Sequence, residues 1–284
     1  MTDTDGWFAA GDPDDVDALA AAIGDGETDE PRDWPERAVD AGFAADEAGY
    51  YDALHEASLV ATRAAVEARE RADDRQLVHA VRAMDDCRRT ANELAERLAE
   101  WAGTVDPEAG TGVEYARELA AREPEPGLER VHSLAARVAA LADEADDLRA
   151  FVERRTPAVA PNLAALAGPV LAARLVSLAG GLESLAKQPS GTVQVLGAED
   201  ALFAHLRGHA PSPKHGIIYT HDAVRGTRPE DRGSAARAVA GKLAIAARID
   251  HYSGDYRPEL EAELAERIET IQARADDTGG EGGE

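Results

Sequence analysis

The sequence holds a single cysteine, Cys87, which rules out an intrachain disulfide and a thiolate-held metal cluster. Aromatic residues are only 5% of the chain, and alanine and leucine fill most apolar positions. That composition favours helix-on-helix packing over a β core. No apolar run reaches the roughly 18 residues that a membrane span needs. The opening MTDTDGWF is acidic and unlike a secretory signal, so a cytoplasmic protein is expected. Lysine is scarce too, with three against 27 arginines.

What the chain has in excess is acid. Its 284 residues carry 55 Asp and Glu against 30 Lys and Arg, a formal net charge of −25. An apolar content of 44% with sustained periodicity excludes a merely solvating, unfolded chain. A halophile's surface, where hydrated carboxylates keep a folded protein soluble in concentrated salt, fits better and suggests an archaeal source. The charge is unevenly placed. Residues 1–155 carry net −21 and the stretch after Asp255 carries −6, whereas residues 156–255 carry +2, all three lysines and five of the eight histidines. A cationic island on a polyanionic chain points to an anionic partner, nucleic acid foremost.

Helical periodicity runs through most of the rest. Residues 1–60 form a small N-terminal region holding six of the 13 aromatics, Trp7, Phe8, Trp34, Phe43, Tyr50 and Tyr51, around one short helical run. The pattern from Tyr51 to Ala102 is helical: Leu77, Met84, Ala91 and Leu98 recur every seven residues, with Val81, Ala95 and Ala102 four on from three of them. A second seam follows in Val131, Leu134, Val138, Leu141, Ala145, Leu148 and Val152, spaced three and four. Together they predict an antiparallel coiled-coil hairpin over 61–155. Helices are expected over 113–121, 168–187, 191–207 and 228–251, and PSPKHGIIYTH reads as a β-hairpin-like cluster. The segment 256–284 reads as a solvated acidic helix fraying into a glycine-rich tail.

Three runs within 156–255 carry a resemblance. APNLAALAGPVLAARLVSLAGGLESLAKQPSGTVQVLGAEDALF, PKHGIIYTH and RGSAARAVAGKLAIAARID, in that order, resemble the Nop domain of the scaffold proteins of box C/D small ribonucleoproteins and their nucleolar and spliceosomal relatives. The run LVHAVRAMDDCRRTANELAERLAEW resembles the first coiled-coil helix of the same family. The resemblance implies an all-α protein. It implies a box C/D guide RNA and a small kink-turn-binding protein as partners, fibrillarin docked through the N-terminal region, and homodimerisation through the hairpin. The dimerisation set is then Leu77, Val81, Met84, Leu98, Val131, Leu134, Val138, Leu141 and Leu148. No cofactor, metal or active site is implied. Two positions depart from the family: Asp200 stands where a lysine is usual and Ala204 where an arginine is usual, so neither carries over as an RNA ligand.

The residues themselves nominate a binding set. Gly197 and Ala198 leave room for a partner's backbone, and Glu199 offers an acceptor. Gln194 precedes them. Lys187, Gln188 and Ser190 lie in one turn and Lys214 in another, both with backbone donors suited to phosphates. His215 and His221 flank IIYT, where an imidazole stacks on a base or bonds a phosphate. Arg225, Arg228 and Arg232 share one face if a helix begins early enough, with Arg237 and Lys242 following. The histidines at 205, 209, 215 and 221 lack the spacing of a helical zinc site, because Ala210 and Pro211 break the run. Two rivals stay open: a scaffold for another kink-turn particle without a methyltransferase, and a purely structural coiled-coil dimer.

Overall fold

The computed structural model describes residues 6–27, 30 and 32–278, and among them there are fourteen α-helices, two short 3-10 turns and no β-strand. The all-α expectation holds. The chain divides into two compact units, residues 1–72 and 73–284.

In the first unit the acidic residues start the helices. Asp15, Asp33 and Asp46 each accept a backbone N–H three residues on (3.1, 3.3 and 2.8 Å), which satisfies one orphan donor at each N-terminus. They open α1 (Val16–Asp25), α2 (Trp34–Asp40) and α3 (Glu47–Arg71). Around them Phe8, Leu19, Ala38, Phe43, Tyr50 and Ala57 form a minimal core. Trp7 closes it, edge-on to Phe43 at 5.4 Å, its indole N–H donating to the Tyr50 hydroxyl at 3.2 Å. Helix α3 stops at Arg71 because Ala72 turns extended. The helical pattern from Tyr51 to Ala102 is therefore carried by two helices, and the two compact units meet at residue 72.

The second unit begins with the hairpin, α4 (Asp73–Ala102) and α6 (Glu129–Val159). It is antiparallel. Ala95, Leu98 and Ala102 share a core with Val131, Ala135 and Val138 at one end, and Asp73 meets Arg155 at 2.5 Å at the other. The short α5 (Gly112–Ala120) lies across the far end, burying Ala116 and Leu119. Arg117 pins it by ion pairs to Asp143 and Asp146 on α6, both at 2.9 Å, and these hydrogen bonds hold the guanidinium even more firmly protonated than usual. The seam is spent inside one chain. Leu77, Val81, Met84, Leu98, Val131 and Val138 are all 4% exposed or less, and Leu134 and Leu148 pack against the same clusters. The six buried residues close the hairpin within the chain and leave no surface for a second copy, whereas Leu134 and Leu148 stay half-buried. Leu141 is half-buried.

The remaining helices enclose the largest core. Helix α7 (Pro161–Ala167) meets α8 (Pro169–Ala179) at a bend of 118° through Gly168, whose φ of +74° lies in the region glycine favours. No single helix of the described residues is long and apolar enough to cross a membrane. Left-handed Gly180 ends α8, so the helix expected over 168–187 is instead α8 and α9 (Leu182–Lys187). Helices α10 (Ser190–Val195) and α11 (Glu199–Leu206) replace the single helix expected over 191–207. The IIYT cluster is a 3-10 turn, Ile217–Thr220, and not a hairpin. Ile218 is fully buried among helices there, and no neighbouring strand exists among the described residues to pair with it. Helix α12 (Asp222–Arg225) and the long α13 (Arg232–Tyr252) follow.

Two buried carboxylates act as helix caps across long stretches of sequence. Asp74 accepts the Leu182 N–H at 2.9 Å, at the start of α9. Asp250 accepts the N–H of Asn162 at 3.0 Å and of Leu163 at 2.9 Å, at the start of α7, along with the Asn162 side-chain amide. Asn162 continues the staple, accepting from the Arg257 N–H at 2.7 Å and donating to the Asp255 carbonyl at 2.8 Å.

Helix α14 (Glu259–Thr278) overturns the expectation of a solvated tail. Leu260, Leu264, Ile268 and Ile271 fall on one face and are buried in the main core. Burying each contributes about 1.5–3 kcal/mol. Glu259, Glu261, Glu263, Glu266 and Glu269 are exposed off that face.

Candidate nucleic-acid interface

The loop before α11 and the loop before the 3-10 turn are fastened together by backbone. Gly216 N–H donates to the Gln194 carbonyl at 2.8 Å, Ile217 N–H donates to the Leu196 carbonyl at 2.7 Å, and the Gln194 side chain donates to the Lys214 carbonyl at 2.7 Å. A Cβ on Gly216 would fall 1.9 Å from the Leu196 oxygen, so only glycine permits this approach. Gly197 sits at φ +80° with its N–H on the Glu199 carboxylate at 2.8 Å. Ala198 is half-buried beside it. Gln194 and one oxygen of Glu199 thus shape the loops instead of facing a ligand.

The result is a small platform. The His215 ring stacks on Tyr219 with centroids 4.7 Å apart and planes 22° from parallel. The Arg232 guanidinium lies 5.4 Å from the Tyr219 centroid, held by an Nε–H bond to the Thr227 carbonyl at 3.0 Å. Lys214 is exposed, and its aliphatic carbons run within 4.0 Å of the point where a Cβ on Gly233 would stand. Burial, then the nearby Arg232, pushes the His215 imidazole below its usual range. At neutral pH it is an uncharged aromatic ring between two cations. Such a surface offers stacking to a base and charge to its phosphates.

Other nominated residues lie elsewhere. Both ring nitrogens of His221 are used internally: Nδ1 accepts from the Ala223 N–H at 3.1 Å, which leaves Nε2 to donate to the Leu166 carbonyl at 2.8 Å. It is a structural histidine, not an RNA ligand. His205 likewise turns back to the Ala210 carbonyl at 3.0 Å. Arg225, Arg228 and Arg232 do not share a helix face, because α12 ends at Arg225 and α13 begins at Arg232. Lys242 pairs with Glu263 on α14. Lys187 pairs with Glu183 at 2.6 Å, which raises its pKa, and the Gln188 carbonyl accepts from Arg248 at 3.1 Å. Ser190 opens α10 and Arg237 is exposed on α13. Tyr219 was missed from sequence; its place four residues after His215 was the available signal. Among the described residues no group of three or more His, Cys, Asp and Glu is placed to hold a metal.

These features define a class: an all-helical protein with a long hairpin and a compact helical domain that presents an aromatic and cationic platform. The chain belongs to the Nop family. The family's sequence model, described as "snoRNA binding domain, fibrillarin", matches residues 73–271. A NOP5 family protein of Methanocaldococcus jannaschii is 36% identical over 260 residues, covering 78% of this chain and 63% of that protein. Nucleolar protein 58 of Scheffersomyces stipitis is 33% identical over 245 residues, covering 71% of this chain and 48% of its own length. The chain thus spans about half to two thirds of the length of these relatives. Among solved structures, one chain of a crystal structure of a fibrillarin/Nop5p complex superposes with a TM-score of 0.55 at 26% identity, covering 89% of this chain and 91% of that one.

Proposed function

We propose that the chain is an RNA-binding scaffold of box C/D guide ribonucleoproteins. In this function it grips a kink-turn RNA together with a small kink-turn-binding protein, and carries fibrillarin to its site of 2′-O-methylation on rRNA or tRNA. It has no active site of its own. The observation that carries this is the convergence of Lys214, His215, Tyr219 and Arg232 beside the Gly197 loop, within the stretch that matches a snoRNA-binding domain. Fibrillarin as a partner rests on the likeness to the fibrillarin/Nop5p complex. Homodimerisation, if it uses the hairpin, falls to its outer surface, where Trp101 and Phe151 are exposed, because the seam is already closed. The acid excess suits a cytoplasmic protein of a halophile. At molar salt the screening length is roughly 3 Å, so stacking and short hydrogen bonds outweigh net charge in holding RNA.

Reconstitution tests the proposal. The full chain, a kink-turn RNA and a kink-turn-binding protein assemble, and fibrillarin joins the assembly. Lys214→Ala weakens it about tenfold, the loss of one charge-assisted hydrogen bond, with helicity unchanged. A particle that forms without ever retaining fibrillarin selects the scaffold of another kink-turn particle instead.

A further inference from the structure

Helix α13 stands apart in a chain this acidic. Its 21 residues hold one carboxylate, Asp250, and that one is buried as the cap of α7. Helix α4 carries seven in 30 residues and α14 seven in 20. The exposed positions of α13 are Ser234, Arg237, Ile245, Arg248 and Tyr252, with half-buried Gly241 between. They recur at intervals of three, four, four, three and four, a single stripe along the helix.

The turn between α9 and α10 joins the stripe at its far end. There Arg248 donates to the Gln188 carbonyl, using one of its five N–H groups, which sets Lys187 one residue from that contact. Tyr252 is 66% exposed and Ile245 41%, and the His251 ring stands edge-on to Tyr252 at 4.5 Å. Glu183, paired with Lys187, is the one carboxylate bonded into this cluster among the contacts described. At about 1.5 Å per residue, Tyr252 stands roughly 30 Å along the helix from Arg232. It is therefore a separate surface from the His215 platform.

An exposed ring flanked by cations, on a stripe free of carboxylates, fits a strand of stackable bases and phosphates. We infer that the outer stripe of α13 from Arg237 to Tyr252, with Lys187 beside it, is a second RNA-contacting surface, which takes a single-stranded extension of the RNA held at the other end of the helix, a role that rests on the function proposed above. At ~3.4 Å per step, about nine nucleotides span the distance.

The test uses the full chain, the kink-turn-binding protein and two RNAs: a kink-turn with blunt stems, and the same RNA with about ten single-stranded nucleotides added at either end. The extended RNA binds about fivefold tighter or more, as expected for one stacked base. Tyr252→Ser and Ile245→Glu each abolish that gain and Tyr252→Phe keeps it, while all variants bind the blunt RNA as the unaltered chain does. The inference is overturned if extension gives no gain, or if the gain survives both Tyr252→Ser and Ile245→Glu. It is overturned too if light scattering shows Ile245→Glu splitting a dimer, which assigns the stripe to a second copy. Failure to bind even the blunt RNA overturns the ribonucleoprotein function along with it.

Discussion

Helices α13 and α14 lie against each other in the same unit, 21 and 20 residues long, and they carry opposite surfaces. Each buries one apolar face in a common core. Outside that core, α14 presents carboxylates and α13 presents Arg237, Ile245, Arg248 and Tyr252. Burial fixes where both helices sit, and it is indifferent to what their wet faces carry. The difference between those faces reports what each one meets: water and salt for α14, and in the function proposed here a polyanion for α13.

The strongest way to break the comparison is through the carboxylate that α13 does keep. Asp250→Ala leaves the Asn162 and Leu163 N–H groups and the Asn162 amide without their acceptor, and is expected to cost about 3 kcal/mol of stability by urea unfolding. Burial pushes the Asp250 carboxyl above its ordinary value of 3.8, against the pull of its N–H donors. Because the folded state holds the proton more tightly than the unfolded chain, stability is lost as pH rises from there through the raised value. In Asp250→Asn that slope flattens. Next comes the docking of α14. Ile268→Ala removes one of its four buried anchors and is expected to cost about 2 kcal/mol, with faster proteolysis in the 253–258 connection. The smallest effect is the cross-helix pair: Lys242 and Glu263 are partly exposed, so Lys242→Ala costs at most about 1 kcal/mol and less as salt rises.

Legibility from sequence followed the range of the interactions. The hairpin was plain, because heptad spacing within each of α4 and α6 is a local signal that the packing then obeys. The apolar spacing of Leu260, Leu264 and Ile268 is equally local, yet the acidic composition around it reads as a solvated helix. IIYT reads as strand by its β-branched and aromatic residues, but tertiary packing of Ile218 overrides that preference. The caps made by Asp74 and Asp250 join positions 108 and 88 residues apart, and nothing in one sequence pairs them. The platform was half legible. Lys214, His215 and Arg232 stood out by type, whereas the roles of Tyr219, Gln194 and His221 depend on which backbone group each side chain reaches.

In the function proposed here the RNA and the kink-turn-binding protein are recognised jointly, with neither alone giving full affinity, and one titration addresses this. Affinity of the chain is measured by calorimetry for the kink-turn RNA alone, for the kink-turn-binding protein alone and for their complex, from low to near-saturated salt. Tight binding of the complex with a shallow salt dependence, and weak binding of either component, is the predicted result. Equally tight binding of bare RNA with a steep loss of affinity as salt rises would contradict it.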